Sequence, residues 1–217
     1  MRPRVLIATW ILFAGTCAPQ TNHRTSSLEK RLAIGTQTTT SINHITTLLR
    51  QAGVWGEVET YHSDCAPPSE YRIPPFDGTL EEGLTQLRSQ DNSLQWKAQD
   101  DGIVVSRNFP ANSLLDAKLP QVTFLQGEPP EKSTDRLLNL SAVKNRMAEL
   151  KLTLRPPELG FARLPVDAGS EKPVVLGGLT LRQALNAIAR ADHPRVWLFQ
   201  QIACNGRTTV RVQWLVK

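Results

Sequence analysis

The sequence has little cysteine and only one long apolar run. Three cysteines among 217 residues are too few for a small disulfide-rich scaffold. The apolar run, Val5–Ala14, has ten residues, whereas a membrane-spanning helix needs about 20. The composition, 40% hydrophobic and 21% charged, is typical of a globular protein. We therefore expect a folded globular chain with no transmembrane span after its first segment.

Motifs for catalysis or cofactor binding are also lacking. We find no glycine-rich phosphate loop and no nucleophile elbow. His62, Asp64 and Cys65 are possible metal ligands, but no second cluster completes a site, so we interpret them as a solvated loop. Asp91 and Asp192 are interpreted as turn residues rather than as a catalytic pair. We assign no catalytic, metal-binding or cofactor-binding residue, and no cofactor is expected.

The N-terminus has the order of a secretory signal. Basic residues in Met1–Arg4 precede the apolar run, and small residues follow it as far as Ala18. We predict a signal peptide over 1–18 and an exported protein, periplasmic or secreted. Cys17 is a candidate lipidation site that would anchor the chain to the envelope. Ordinary cleavage between about Thr16 and Gln20 is the alternative.

Charge is divided unevenly between the two halves of the chain. Loss of Arg2 and Arg4 with the signal lowers the basic residues from 25 to 23 against 20 acidic ones, a net charge of +3. Residues 26–125 hold 8 basic and 12 acidic residues (−4), and residues 126–217 hold 14 and 8 (+6). The asymmetry predicts either attraction between the halves or an anionic partner. Export argues against genomic nucleic acid.

The basic residues of the second half are candidates for a binding surface. The set that we assign to it is Arg182, Arg195, Arg207 and Arg211. Three interpretations stay open: a solvated face, contact with the acidic first half, or binding of an anionic polymer or lipid headgroup.

Two cysteines remain once Cys17 is removed or lipidated. Cys65 lies in a polar, proline-rich stretch, and Cys204 precedes Asn205-Gly206. An even pair in an oxidising compartment predicts a disulfide. Closing so long a loop contributes on the order of 4–5 kcal/mol in the chain-entropy model. The alternative is two separate thiols.

An internal repeat relates the two halves at an offset of 101 residues. Residues 79–87 align with 180–188, and the same offset pairs Trp96 with Trp197. Thr79 and Thr180 are predicted N-caps, each with a capping-box partner three residues later, Glu82 or Gln183. Both helices have one apolar stripe and precede two strands. The tryptophans are therefore predicted to be hydrophobic anchors.

Each copy has the predicted order strand, helix, strand, strand, with one further helix upstream. Asp101-Gly102 and Asn205-Gly206 are predicted hairpin turns. Val196–Phe199 is apolar at successive positions, so both faces of that strand should be covered, by the other module or by a partner. This gives two small, mostly antiparallel modules with helices on one face. The predicted ranges are an N-terminal linker or helix at 19–39, modules at 40–125 and 134–217, and a linker at 126–133.

Residues 40–107 resemble the short secretin and TonB N-terminal domain. The resemblance rests on Leu49–Gly53 at a helix end, Gly78–Leu84, Trp96 and Asp101–Val105. Residues 134–217 are similar to a divergent second copy. The resemblance implies small βαβ units in an α+β module of the cell envelope that is commonly used for protein contacts at the outer membrane.

These observations lead to two hypotheses of different classes. The first is a stand-alone, exported, non-catalytic binding or scaffolding protein of the bacterial envelope, with unidentified envelope proteins as partners. The second is a secreted enzyme or enzyme inhibitor with a site between the modules. Binding of a polyanion or lipid headgroup by the second module is a further alternative.

Overall fold

The computed structural model describes residues 27–66, 68–125, 127–155, 172–191 and 195–215. The predicted signal peptide, the candidate lipidation site Cys17 and the turn residue Asp192 lie outside these residues. Within them the chain forms a mixed α+β fold of five helices and twelve strands, which confirms the predicted class.

The helices are α1 Ser41–Ala52, α2 Leu80–Gln90, α3 Pro130–Leu138, α4 Ser141–Glu149 and α5 Leu181–Ala191. The strands of the first half are β1 Arg31–Ile34, β2 Gln37–Thr39, β3 Gly56–His62, β4 Tyr71–Ile73, β5 Phe76–Thr79, β6 Leu94–Gln99 and β7 Gly102–Arg107. Those that follow are β8 Val122–Leu125, β9 Leu152–Leu154, β10 Pro173–Leu176, β11 Val196–Cys204 and β12 Arg207–Leu215.

One six-stranded mixed sheet runs through both halves, in the order β6-β7-β3-β11-β12-β9. Each half contributes three strands in the same arrangement: an antiparallel hairpin, then a parallel strand beside its second member. The halves join through parallel pairing of β3 with β11, from Gly56 opposite Val196 to His62 opposite Ile202. Three antiparallel pairs, β1-β5, β2-β4 and β8-β10, lie outside this sheet.

The α-helices of the two halves cover opposite faces of the sheet. Successive side chains of a strand point to opposite faces. In β11, Val196 and Leu198 pack in a core with α1 and α2, whereas Trp197 and Phe199 pack in a second core with α3, α4 and α5. The prediction that both faces of this strand are covered is confirmed, and the covering elements come from both halves of the chain.

Both repeated helices begin with the predicted capping box. The Thr79 hydroxyl accepts a hydrogen bond from the Glu82 amide (3.2 Å), and the Glu82 carboxylate accepts one from the Thr79 amide (2.7 Å). Thr180 and Gln183 make the same two contacts, at 3.3 and 2.9 Å. The helices start 101 residues apart, at Leu80 and Leu181, as the repeat predicts. Their apolar stripes are buried in the two different cores.

The predicted disulfide between Cys65 and Cys204 is present, with the two Cα atoms 4.9 Å apart. It joins the loop after β3 to the end of β11. Since β3 and β11 are neighbours in the sheet, the bond fastens the junction of the halves at the carboxyl ends of these two strands.

Several predicted boundaries differ from the structure. Part of the predicted N-terminal linker forms β1 and β2, which pair with β5 and β4. In β1, the alternating apolar residues Leu32 and Ile34 reach the first core. Helix α3 begins at Pro130, inside the predicted linker 126–133, with proline in its first turn, where the missing N–H costs no hydrogen bond. The predicted upstream helix of the second half is two helices, α3 and α4.

The first hairpin turn lies one residue earlier than predicted. Asp100 and Asp101 form the turn, and Gly102 already belongs to β7, where it pairs with Gln99. A Cβ atom at Gly102 would overlap the ring of Trp55, so this glycine is required by a close approach of backbone and side chain. The turn at Asn205-Gly206 is as predicted, with φ angles of 51° and 72°.

Gly102→Ala should destabilise the protein by about 1–3 kcal/mol, because the methyl group displaces the buried Trp55 ring. Gly177→Ala is the matched control, since nothing lies within 4 Å of its Cβ position. Urea unfolding of both variants measures the difference. Equal stability of the two variants would show that Trp55 does not depend on Gly102.

Candidate functional site

The most buried charged groups lie where helix α5 packs on strand β3. Glu57 and Glu59 are only 1% and 4% exposed, and their alternate positions place both on the same face of the sheet. Arg182, in the first turn of α5, forms ion pairs with both carboxylates. One turn later, Asn186 donates a hydrogen bond to the second oxygen of Glu57, at 2.7 Å. A single cation of the second half is thus shared by two buried carboxyl groups of the first.

This network continues into the core of the second half. The indole nitrogen of Trp197 donates to the amide oxygen of Asn186, at 2.9 Å. Burial raises the pKa of Glu57, and the positive charge of Arg182 opposes that shift. Because the carboxylates are covered and paired, this cluster stabilises the junction of the halves and offers no open surface to a substrate.

A second contact between the halves lies at the other end of α5. The guanidinium of Arg190 stacks over the Trp55 ring, 4.2 Å from its centre, and pairs with Asp100 at 2.9 Å. The Trp55 indole nitrogen donates to Asp101, at 2.6 Å. Helix α5 is thus fixed to the first half at both ends, by Arg182 and Arg190.

The four predicted surface arginines have different surroundings. Arg182 belongs to the buried network, so it is not part of an open anion-binding surface, and contact with the acidic first half is the interpretation that holds for it. Arg211 donates from Nε to the Gln200 side chain at 2.9 Å. Arg195 is half-buried just before β11, and Arg207 is exposed beside the β11-β12 turn.

The two predicted tryptophan anchors differ in depth. Trp197 is completely buried in the second core, as predicted. Trp96 is half-buried and packs at the margin of the first core. The difference follows from position, because β11 lies inside the sheet and β6 lies at its edge.

The loop residues weighed as metal ligands belong to a polar cleft. Cys65 is bonded to Cys204, so it offers no thiolate. His62 and Asp64 line a cavity of about 630 Å³ at the carboxyl ends of β3 and β7, together with Tyr71, Asp91 and Arg107. All of its lining residues lie between Ser41 and Arg107, so the cleft is built within the first half and not between the halves.

A smaller, mainly apolar cavity of about 220 Å³ lies among β8, α3 and α5. Beside it, the Glu128 carboxylate is buried and accepts hydrogen bonds from Ser133, at 2.8 Å, and from Arg136. These polar contacts anchor the start of α3.

The six-stranded sheet has two open edges in the described part of the chain. Strand β6 pairs only with β7, and β9 pairs only with β12. Strand β6 has six residues, of which Gln95, Lys97 and Ala98 are exposed, and β9 has three. The longer edge, β6, therefore offers unpaired backbone groups to another chain.

Sequence reasoning did not identify Glu57 and Glu59. Their alternation with Val58 is the signal, because a strand with apolar and acidic positions in turn places both acids on one face. That this face is buried follows only from the arrival of α5 and from the pairing of β3 with β11.

Comparisons with protein-family models, curated proteins and solved structures found no match. No helix in the described ranges combines the length and the apolar character that a bilayer crossing requires.

Arg182→Gln should cost about 3–5 kcal/mol of stability at neutral pH, because it leaves two buried carboxylates without their cation. The loss should shrink as the pH falls toward 4.5. Removal of Arg182, whose charge opposes the raised pKa of Glu57, lets that pKa rise further, so the folded variant takes up a proton more readily than the folded wild type and loses the uncompensated charge. Urea unfolding between pH 4.5 and 8 measures this.

Arg207→Gln is the control, because this exposed side chain makes no ion pair in the described structure, and a change within about 0.5 kcal/mol is expected. Equal effects of the two substitutions, or a pH-independent loss for Arg182→Gln, would contradict a junction that depends on the buried ion pairs.

Proposed function

We propose that this protein is an exported, non-catalytic binding or scaffolding component of the bacterial cell envelope that acts through protein contacts. The observation that carries the proposal is the open edge of β6. Such an edge can accept an extended segment of a partner as an additional strand, with backbone hydrogen bonds supplying affinity. The resemblance of residues 40–107 to a domain used for envelope protein contacts supports the same function.

The hairpin turn indicates which backbone groups of β6 point outward. Gln99 and Gly102 flank a two-residue turn, so they form a hydrogen-bonded pair. Hydrogen-bonded pairs alternate along an antiparallel ladder, so Lys97 also bonds to β7. The N–H group of Ala98, between them, is therefore directed away from β7 and is available to a partner strand.

The surface of β6 fits a transient contact better than a permanent one. Its exposed side chains are polar or small, and Lys97 lies in the middle of the strand. A lysine on an edge strand discourages indiscriminate pairing. A partner would therefore need a complementary side chain beside Lys97, and this gives the edge selectivity.

Ala98→Pro should abolish strand addition without unfolding the protein. Proline removes the outward N–H and is tolerated on an edge strand when that group is not used in the sheet. Lys97→Pro is the contrasting variant: it removes a hydrogen bond to β7 and should lower the melting temperature by several degrees.

The wild-type protein, Ala98→Ser and Ala98→Pro are each used to capture partners from a bacterial envelope extract. Backbone hydrogen exchange of residues 94–99 is measured with and without the captured partner. We expect the wild-type protein and Ala98→Ser to capture the partner and Ala98→Pro to fail. Hydrogen exchange in β6 should slow when the partner is bound. Equal capture by a folded Ala98→Pro variant would contradict binding through this edge.

A further inference from the structure

The polar cleft of the first half contains ionic groups of both signs. Its walls come from the carboxyl ends of β3 and β7, the loop after β3, strand β4 and the two helix ends nearest to them. The volume of about 630 Å³ lies in the usual range for small-molecule sites. Among the described residues, the side chains of Asp64, Asp91 and Arg107 make no hydrogen bond or ion pair with the second half, so the joining of the halves does not account for these charges.

The guanidinium of Arg107 is held in one orientation through its Nε atom. Its Nε atom lies 2.9 Å from the Asp91 carboxylate and 3.4 Å from the Ser93 hydroxyl. Asp91 is held in turn by the Ser93 amide, at 3.1 Å. In the described part of the molecule, the two terminal nitrogens of Arg107 make no hydrogen bond or ion pair. A guanidinium fixed by its Nε edge presents those nitrogens as a fork for a carboxylate.

Asp64 supplies the opposite charge. Its exposed carboxylate has no hydrogen bond or ion pair with any described residue. The neighbouring residue Cys65 is bonded to Cys204, so the disulfide limits where Asp64 can move. An unpaired carboxylate at a cleft wall is suited to an ammonium group.

His62 adds a neutral polar group to the same cleft. Its Nε2 atom is buried and has no hydrogen-bond partner among the described residues, which is uncommon for a buried polar atom. Burial lowers the pKa of His62, and the nearby charge of Arg107 lowers it further, while the charge of Asp64 opposes the shift in part. Burial and Arg107 both favour the neutral form of the imidazole, so His62 contributes a polar wall to the cleft rather than a further charge of its own.

A ligand of one sign does not match this set. The lining holds two cations, Arg72 and Arg107, and two anions, Asp64 and Asp91. A simple anion at Arg107 would be repelled by the two aspartates, and a simple cation at Asp64 would be repelled by the two arginines. We infer that the cleft binds a small zwitterion, an amino acid or short peptide, with its carboxylate on the Arg107 fork and its ammonium group toward Asp64. This site is separate from the β6 edge, so either proposal can fail without the other.

The test uses calorimetric titration of the whole chain with four probes: alanine, alanyl-alanine, N-acetyl-alanyl-alanine and alanyl-alanine amide. Alanine or alanyl-alanine should bind. Each blocked peptide should bind about tenfold more weakly than alanyl-alanine, since each has lost one charged contact.

Two variants assign the contacts. Arg107→Gln should weaken alanyl-alanine about tenfold without weakening the amide, and Asp64→Asn should weaken alanyl-alanine without weakening the acetylated peptide. Asp64 has no partner to lose, so this variant should fold normally. Arg50→Gln, an exposed arginine on α1 outside the cleft, is the control.

Absence of binding by alanine and alanyl-alanine at millimolar concentration would overturn the inference. So would equal binding of alanyl-alanine and its amide, or binding that Asp64→Asn leaves unaltered. Inorganic phosphate that binds the wild-type protein as tightly as alanyl-alanine does would show a plain anion site instead.

Discussion

The parallel pairing of β3 with β11 is the constraint on which the rest of the structure depends. It joins two three-stranded units into one sheet and places two strands of different origin at its centre. Strand β3 presents Val58 to one core and Glu57 to the opposite face, and β11 divides its apolar residues between both cores. Neither half could bury these central strands alone, because each half supplies the helices for only one face.

Some of the opposite charges of the two halves pair with each other at this junction. A buried carboxylate is costly unless a cation and hydrogen bonds compensate it. Arg182 and Asn186 provide that compensation for Glu57, and Arg190 adds a contact to Trp55 near the first hairpin. Part of the opposite net charge of the halves is therefore used inside the molecule, which leaves less of it for an external anionic partner.

Local features were predictable from the sequence because each depends on a few neighbouring residues. The capping boxes at Thr79 and Thr180, the apolar stripes of α2 and α5 and the turn at Asn205-Gly206 are of this kind. The Cys65–Cys204 bond was predictable because the expected removal or lipidation of Cys17 leaves two cysteines to pair. The parallel junction was not, since strand alternation gives the faces of a strand but not its neighbour. The cleft was missed for the same reason, because Arg107 and Asp64 meet only when the ends of β7 and β3 lie side by side.

The junction pairs two different edges of the repeated unit, the parallel-strand edge of the first unit (β3) and the hairpin edge of the second (β11). Head-to-tail pairing of this kind can be repeated without limit, because an assembly of any length still has one free edge of each type. Here β6 matches β11 in position, and β9 matches β3. Strand β9, however, has three residues where β3 has seven. The short strand offers few backbone groups to a third unit, so β9 limits the repeated pairing that would produce a fibre.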